Sequence, residues 1–197
     1  MARDTEQRRA ALRETLLDIA EAEIRQNGVA SLRARALAQQ AGCAVGAIYN
    51  VFDDMTGLAL AVNLRTFHRL GDAVSKAVAA KADAPPVERL VIMAKSYLHF
   101  AASDLNLWRA LFDVEMTAES HVPDWYLEEL GRLFAIIAGP LAEMDPAASE
   151  DEIELRTRTL FSSVHGIVLL GLERRVSGVP QERIEEMIAY LLKNAVE

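Results

Sequence analysis

Long stretches of this sequence leave a polypeptide little choice but helix. Runs rich in Ala, Leu, Glu and Arg, all of high helix propensity, follow one another with few interruptions. Only six prolines and ten glycines are available to break them. No segment alternates Val, Ile or Thr between tight turns, as a half-buried strand would. Hydrophobic residues make up 51% of the 197 and charged residues 25%, so a packed core is expected and a disordered chain is not. The expected fold class is all-α.

The interruptions divide the chain into nine helices. The first runs from about Glu6 to Gln26, with Asp4 or Thr5 as its cap and Leu12, Leu16, Ile19 and Ala20 on one face. Asn27-Gly28 closes it. The second spans roughly Leu32 to Gln40 and stops at Gly42; the third covers about Ala44 to Val51. Asp53-Asp54 caps a fourth that continues to near Ala80, with Leu58, Val62 and Leu70 as inward contacts. Pro85-Pro86 opens the fifth, which ends near Ala102. The sixth covers roughly Leu105 to Met116. His121-Val122-Pro123 opens the seventh, ending between Pro140 and Met144. Ser149 to Glu152 reads as a capping box for the eighth, which reaches about Val176, and Pro180 opens the ninth, to Ala195.

Several functions find no support. Cys43 is the single cysteine, so no intrachain disulfide can form, and its apolar inward position predicts an inert small side chain. Met1 to Thr5 leads into charged helix, and no apolar run is long enough to span a bilayer; a cytoplasmic chain with no membrane contact is expected. No Cys/His zinc spacing and no phosphate-cradling glycine loop is present, so neither metal nor cofactor is expected. The pairs Glu128-Glu129 and Glu185-Glu186 are adjacent on helices and point apart, so an enzyme is not expected.

The net charge of −8 argues at first against nucleic acid. The acidity is uneven, however. Residues 1–54 hold seven arginines against eight acids, whereas residues 55–197 hold fourteen basic residues against twenty-one acids. A nearly neutral head, residues 1–54, precedes an acidic body, residues 55–197.

Within the head, AGCAVGAIYNVF is unusually small for a helix that only fills a core. Leu37, Ala41, Cys43, Ile48 and Val51 fall at the inward positions of a helix-turn-helix, Ala38 is small where two helices cross, and Gly42 sits at the turn. Ala44, Val45, Ala47, Tyr49 and Asn50 are left to face something outside. The major groove of B-DNA admits a helix, and short side chains let its backbone approach the bases. Ala and Val can touch thymine methyl groups, and the Tyr49 hydroxyl can bond a phosphate. Arg33 and Arg35, with Arg8, Arg9 and Arg13 on the first helix, can neutralise phosphates or reach a base.

At these residues the chain resembles the TetR family of transcriptional regulators. LRARALAQQAGCAVGAIYNVFDDMTGL, Leu32 to Leu58, is similar to that family's helix-turn-helix signature at Leu37-Ala38, Ala41-Gly42, Gly46, Ile48-Tyr49, Phe52 and Leu58. TLFSSVHGIVLLGLE, with Phe161 four residues before His165-Gly166, is similar to a C-terminal subgroup. Three positions depart from the pattern: Arg33 where Ser or Thr is usual, Ala44 where Ser is frequent, and Met55 where Lys is common.

The resemblance implies a nine-helix architecture, with a three-helix DNA-binding domain before a helical effector-binding and dimerisation domain. It implies a ligand-responsive repressor that binds a palindromic operator in double-stranded DNA as a homodimer. Helices eight and nine would form the dimer seam, through Leu160, Val164, Ile167, Val168 and Gly171 and through Ile184, Met187, Ile188, Leu191 and Leu192. The candidate contacts for a small-molecule effector are Tyr97, Trp108, Phe112, Trp125 and His165, from an aromatic-rich stretch and the His-Gly pair.

Overall fold

The computed structural model describes residues 2–114, 122–173 and 179–195, with the backbone alone for Ala2 and Gln181. Met116, His121 and Val176, expected at helix boundaries, lie outside the described residues. Within them the chain is helical and has no strand. The helices are α1 (Ala2–Asn27), α2 (Ala34–Gln40), α3 (Val45–Tyr49), α4 (Met55–Ala79), α5 (Pro86–Ser103), α6 (Leu105–Asp113), α7 (Asp124–Met144), α8 (Glu150–Leu172) and α9 (Ile184–Ala195). Short 3-10 turns at Val29–Ser31 and Gln181–Arg183 precede α2 and α9.

Local chemistry sets most of these boundaries. Gly28 and Gly42 adopt φ of +80° and +66°, a region that costs glycine least, and they stand at the ends of α1 and α2. The Asp54 carboxylate accepts a 2.6 Å bond from the Gly57 amide at the start of α4. The capping box is present: the Ser149 amide donates to Glu152 at 2.8 Å, and the Glu152 amide donates to the Ser149 hydroxyl at 3.3 Å. The first helix begins earlier than expected. Asp4 and Thr5 lie inside α1 and do not cap it, because Ala2 and Arg3 continue the helix and Asp4 pairs with Arg8 one turn on at 3.0 Å.

The chain forms two compact units: residues 1–67 with 104–126, and residues 68–103 with 127–197. In the first, Leu16, Leu17, Ala20 and Ile24 of α1 meet Leu37, Ala38 and Ile48 of the helix-turn-helix. Phe52, Leu58, Ala61 and Val62 and, from α6, Leu107 and Ala110 complete the same core. Asn63 is fully buried within this unit and donates to the Ala110 carbonyl at 2.8 Å.

In the second unit α5 packs on α8 and α9. Leu90, Met93, Tyr97 and Leu98 of α5 are buried in this unit, as are Leu160, Val164 and Val168 of α8 and Ile184, Ile188 and Leu192 of α9. The α8–α9 approach is close at Gly171, where an added Cβ would lie 2.4 Å from the Ile184 Cδ1. The stripe expected at a subunit seam is therefore corrected: Ile184, Ile188, Leu192, Leu160, Val164 and Val168 are buried within their own unit. The large apolar side chains that α8 and α9 leave exposed are Leu155, Leu170, Met187 and Tyr190.

Candidate nucleic-acid interface

The helix-turn-helix is built as its sequence demands. Leu37 and Ile48, 1% and 0% exposed, anchor α2 and α3 from the inside, and Ala38 is buried where the two pack. The Cys43 amide donates to the Ala38 carbonyl at 3.0 Å, which fixes the turn around Gly42. Cys43, Ala41 and Val51 are partly buried against the same core. One side of α3 is thus committed to packing.

Its other side is not. Ala44, Val45, Gly46, Tyr49 and Asn50 are exposed and Ala47 is half-buried. Tyr49 keeps 49% of its surface and Val45 39%, large fractions for apolar-bodied side chains so close to a core. Ala44 stands at the N-cap of α3 and contributes no side-chain capping bond, the direct consequence of lacking a hydroxyl.

The arginines differ in their freedom. Arg35 is exposed on α2. Arg33, at the N-cap of α2, donates from Nη1 to the carbonyls of Ala30 and Leu32, both at 2.8 Å. Arg13 lies over the Phe52 ring, 5.2 Å from its centroid, and Arg8 is paired with Asp4. Met55 packs partly buried against the core of this unit, so its thioether fills space rather than presenting charge.

Charge fastens α1 to α4. Arg65 donates to Glu14 and Asp18 at 2.7 Å each and reaches Glu21 at 3.5 Å, three carboxylates spaced along one face of α1. Arg25 continues the network, donating to Glu21 at 3.1 Å and Asp104 at 2.9 Å. Sequence reasoning missed this network. The helical spacing of 14, 18 and 21 was a signal, but nothing local identified a partner on another helix.

The five expected effector residues divide between the units. Trp108, fully buried, and Phe112, exposed, meet edge to face in the first unit, where Trp125 is also exposed and packs on Tyr126. Tyr97 and His165 belong to the second. Tyr97 Oη and His165 Nδ1 lie 2.8 Å apart, hydrogen bonded in a sense set by the imidazole tautomer. Phe161 stacks on His165 and meets Phe134 and Tyr97 edge to face. Burial holds the His165 pKa below the ordinary histidine value. Among the described residues no cluster of His, Cys, Asp and Glu could hold a metal ion, and no helix is long and apolar enough to cross a membrane.

No curated protein matches the chain. Solved structures share its fold. A protein of unknown function from Rhodococcus sp. RHA1 aligns with a TM-score of 0.75 and 23% identity, covering 93% of this chain and 94% of its own. RolR in complex with resorcinol aligns at 0.71 and 20%, covering 97% and 90%. FadR from Bacillus subtilis in complex with stearoyl-CoA aligns at 0.69 and 18%, covering 93% and 99%. Two family models match the sequence: one for bacterial regulatory proteins of the tetR family over residues 16–62, and one for the tetracyclin repressor-like C-terminal domain over residues 90–195. The second alone spans more than half of the chain, and with an exposed α3 on a helix-turn-helix it assigns the protein: this chain belongs to the TetR family of transcriptional regulators.

Proposed function

We propose that the protein is a ligand-responsive repressor that binds a palindromic operator as a homodimer. Residues 1–54 act as the DNA-binding head and residues 55–197 as the effector-binding and dimerisation body. The observation that carries this reading is α3, held from inside by Ile48 while Ala44, Val45, Tyr49 and Asn50 stand in solvent. A helix so presented enters a major groove, with Tyr49 and Arg35 at phosphates. One such helix covers few bases, so two copies of the chain act on two half-sites. Leu155, Leu170, Met187 and Tyr190, exposed on α8 and α9, are the apolar surface for that pairing.

The effector enters the body, and Tyr97 and His165 are its leading polar contacts, set among Phe134 and Phe161. Trp108, Phe112 and Trp125, which belong to the first unit, are separate aromatic candidates and are not placed at that site. The ligands named for RolR and FadR, resorcinol and stearoyl-CoA, carry an aromatic ring and a long acyl chain respectively, groups that a mostly apolar site with a few polar contacts accepts. Transmission runs along α4, whose first turns supply Leu58 and Val62 to the core beneath α3. An effector coupled to DNA in this way shifts affinity by a free energy of typically about 1–3 kcal/mol.

A band-shift titration of the purified protein against the DNA upstream of its own gene tests the reading. The expected result is one retarded species, with two chains per duplex by light scattering, whose affinity falls steeply as salt rises. Absence of any shift at low salt contradicts it.

A further inference from the structure

From Ala41 to Val51 the chain carries no Arg, Lys, Gln, Asp or Glu. What α3 turns outward at its start is Ala44, Val45 and Gly46: one methyl, one isopropyl group and bare backbone. This limits what the helix can read. Guanine is recognised in the major groove through O6 and N7, ordinarily by a guanidinium or ammonium, and the cytosine amino group by a carboxylate. Neither kind of group lies on α3. Of the two flanking arginines, Arg33 already divides its Nη1 between two backbone carbonyls at 2.8 Å, and Arg35 is exposed on α2, off the helix that carries Ala44 and Val45.

The major groove offers one apolar group, the C5-methyl of thymine. An exposed valine beside an exposed alanine, on a helix without polar side chains in its first turn, is complementary to that group and to no other base edge. The close approach this needs is available, because Gly46 has no side chain and an added Cβ there would meet nothing within 4 Å. The helix is therefore narrow where it would enter the groove.

We propose that α3 selects DNA chiefly through thymine methyl groups, contacted by Ala44 and Val45. The proposal rests on α3 being the duplex-binding element. It goes further by naming the chemical class of sequence, thymine-bearing half-sites, and the side chains that discriminate it. Arg35 and Tyr49 then hold phosphates and add affinity without base preference.

Deoxyuridine tests this directly, because it keeps every hydrogen-bonding group of thymidine and lacks only the methyl. The full-length protein selects from a library of duplexes with a random core, and the recovered sequence is remade with deoxyuridine in place of its recurrent thymidines. Removal of each contacted methyl is expected to weaken binding roughly three- to fourfold, and the whole site about tenfold or more. In Val45→Ala the discrimination between the two duplexes shrinks to a few-fold while the melting temperature holds, since Val45 stands outside the core cluster. Equal affinity for the two duplexes overturns the proposal while leaving DNA binding intact, as does undiminished discrimination by Val45→Ala. Failure to retain any duplex at low salt instead overturns the DNA-binding reading beneath it.

Discussion

In the first compact unit, helices distant in sequence are joined by charge: Arg65 gathers Glu14, Asp18 and Glu21 of α1, and Arg25 extends the chain of ion pairs to Asp104. In the second, ion pairs also cross between helices, from Lys95 and His99 of α5 to Glu185 of α9, but α5, α7 and α8 are joined in addition by rings, Tyr97, His165, Phe161 and Phe134 packing in sequence. The difference lies in what can loosen each unit. Ion pairs at partly exposed positions contribute about 0–1 kcal/mol each and weaken in salt. Packed rings exclude water and change little with ionic strength. The unit that carries α3 thus has an apolar core for stability and a charged network that fixes how α1 lies against α4. Salt or a shift of α4 can disturb the second without dissolving the first.

The comparison breaks most visibly at Ile48. It is fully buried and holds α3 alone among that helix's side chains, so Ile48→Ala opens a cavity worth about 2–5 kcal/mol. Chemical denaturation is expected to show that loss, and duplex binding is expected to fall with it. A cost near zero contradicts the packing described for α3.

Arg65→Met comes next. It removes three pairs from a guanidinium that is 27% exposed, and Glu21, buried on α1, keeps Arg25 as partner. The expected loss is about 1 kcal/mol at low salt, shrinking toward zero near 1 M salt. A loss that does not change with salt means that packing, not charge, joins α1 to α4.

The smallest effect belongs to the second unit and to pH. Burial depresses the His165 pKa in the folded chain, so on acidification the unfolded chain takes up the proton first. The unit keeps its stability above the ordinary histidine value near 6.5 and loses some as pH falls through that value toward the lower folded one. The wild-type protein should therefore lose more stability than His165→Gln between about pH 7.5 and 5.5, by under roughly 1 kcal/mol. Equal losses indicate that His165 is solvated.

How much of this was legible depended on whether the signal was local. Gly28, Gly42, Asp54 and the Ser149–Glu152 box act within a turn of themselves, and each stands where the sequence put a boundary. The inward positions of the helix-turn-helix were equally readable, because Leu37, Ala38 and Ile48 keep helical spacing around a fixed turn. Interactions between distant elements were not. Nothing near Arg65 announces three carboxylates on α1, and nothing near Asn63 announces the Ala110 carbonyl. The same limit explains α9: an apolar stripe marks a buried face but not whose core buries it, and Ile184, Ile188 and Leu192 proved to face their own unit.

The central claim is that the exposed side of α3 is a duplex-binding surface, and Tyr49 tests it most directly. Its ring is about half exposed and stands outside the core cluster, so its removal isolates contact from folding. The measurement is a parallel titration of the wild-type protein and Tyr49→Ala against the same upstream duplex, with thermal melting of both. The account predicts unchanged melting and binding weakened roughly tenfold, the size of one lost phosphate or groove contact. Identical affinity in both proteins contradicts it.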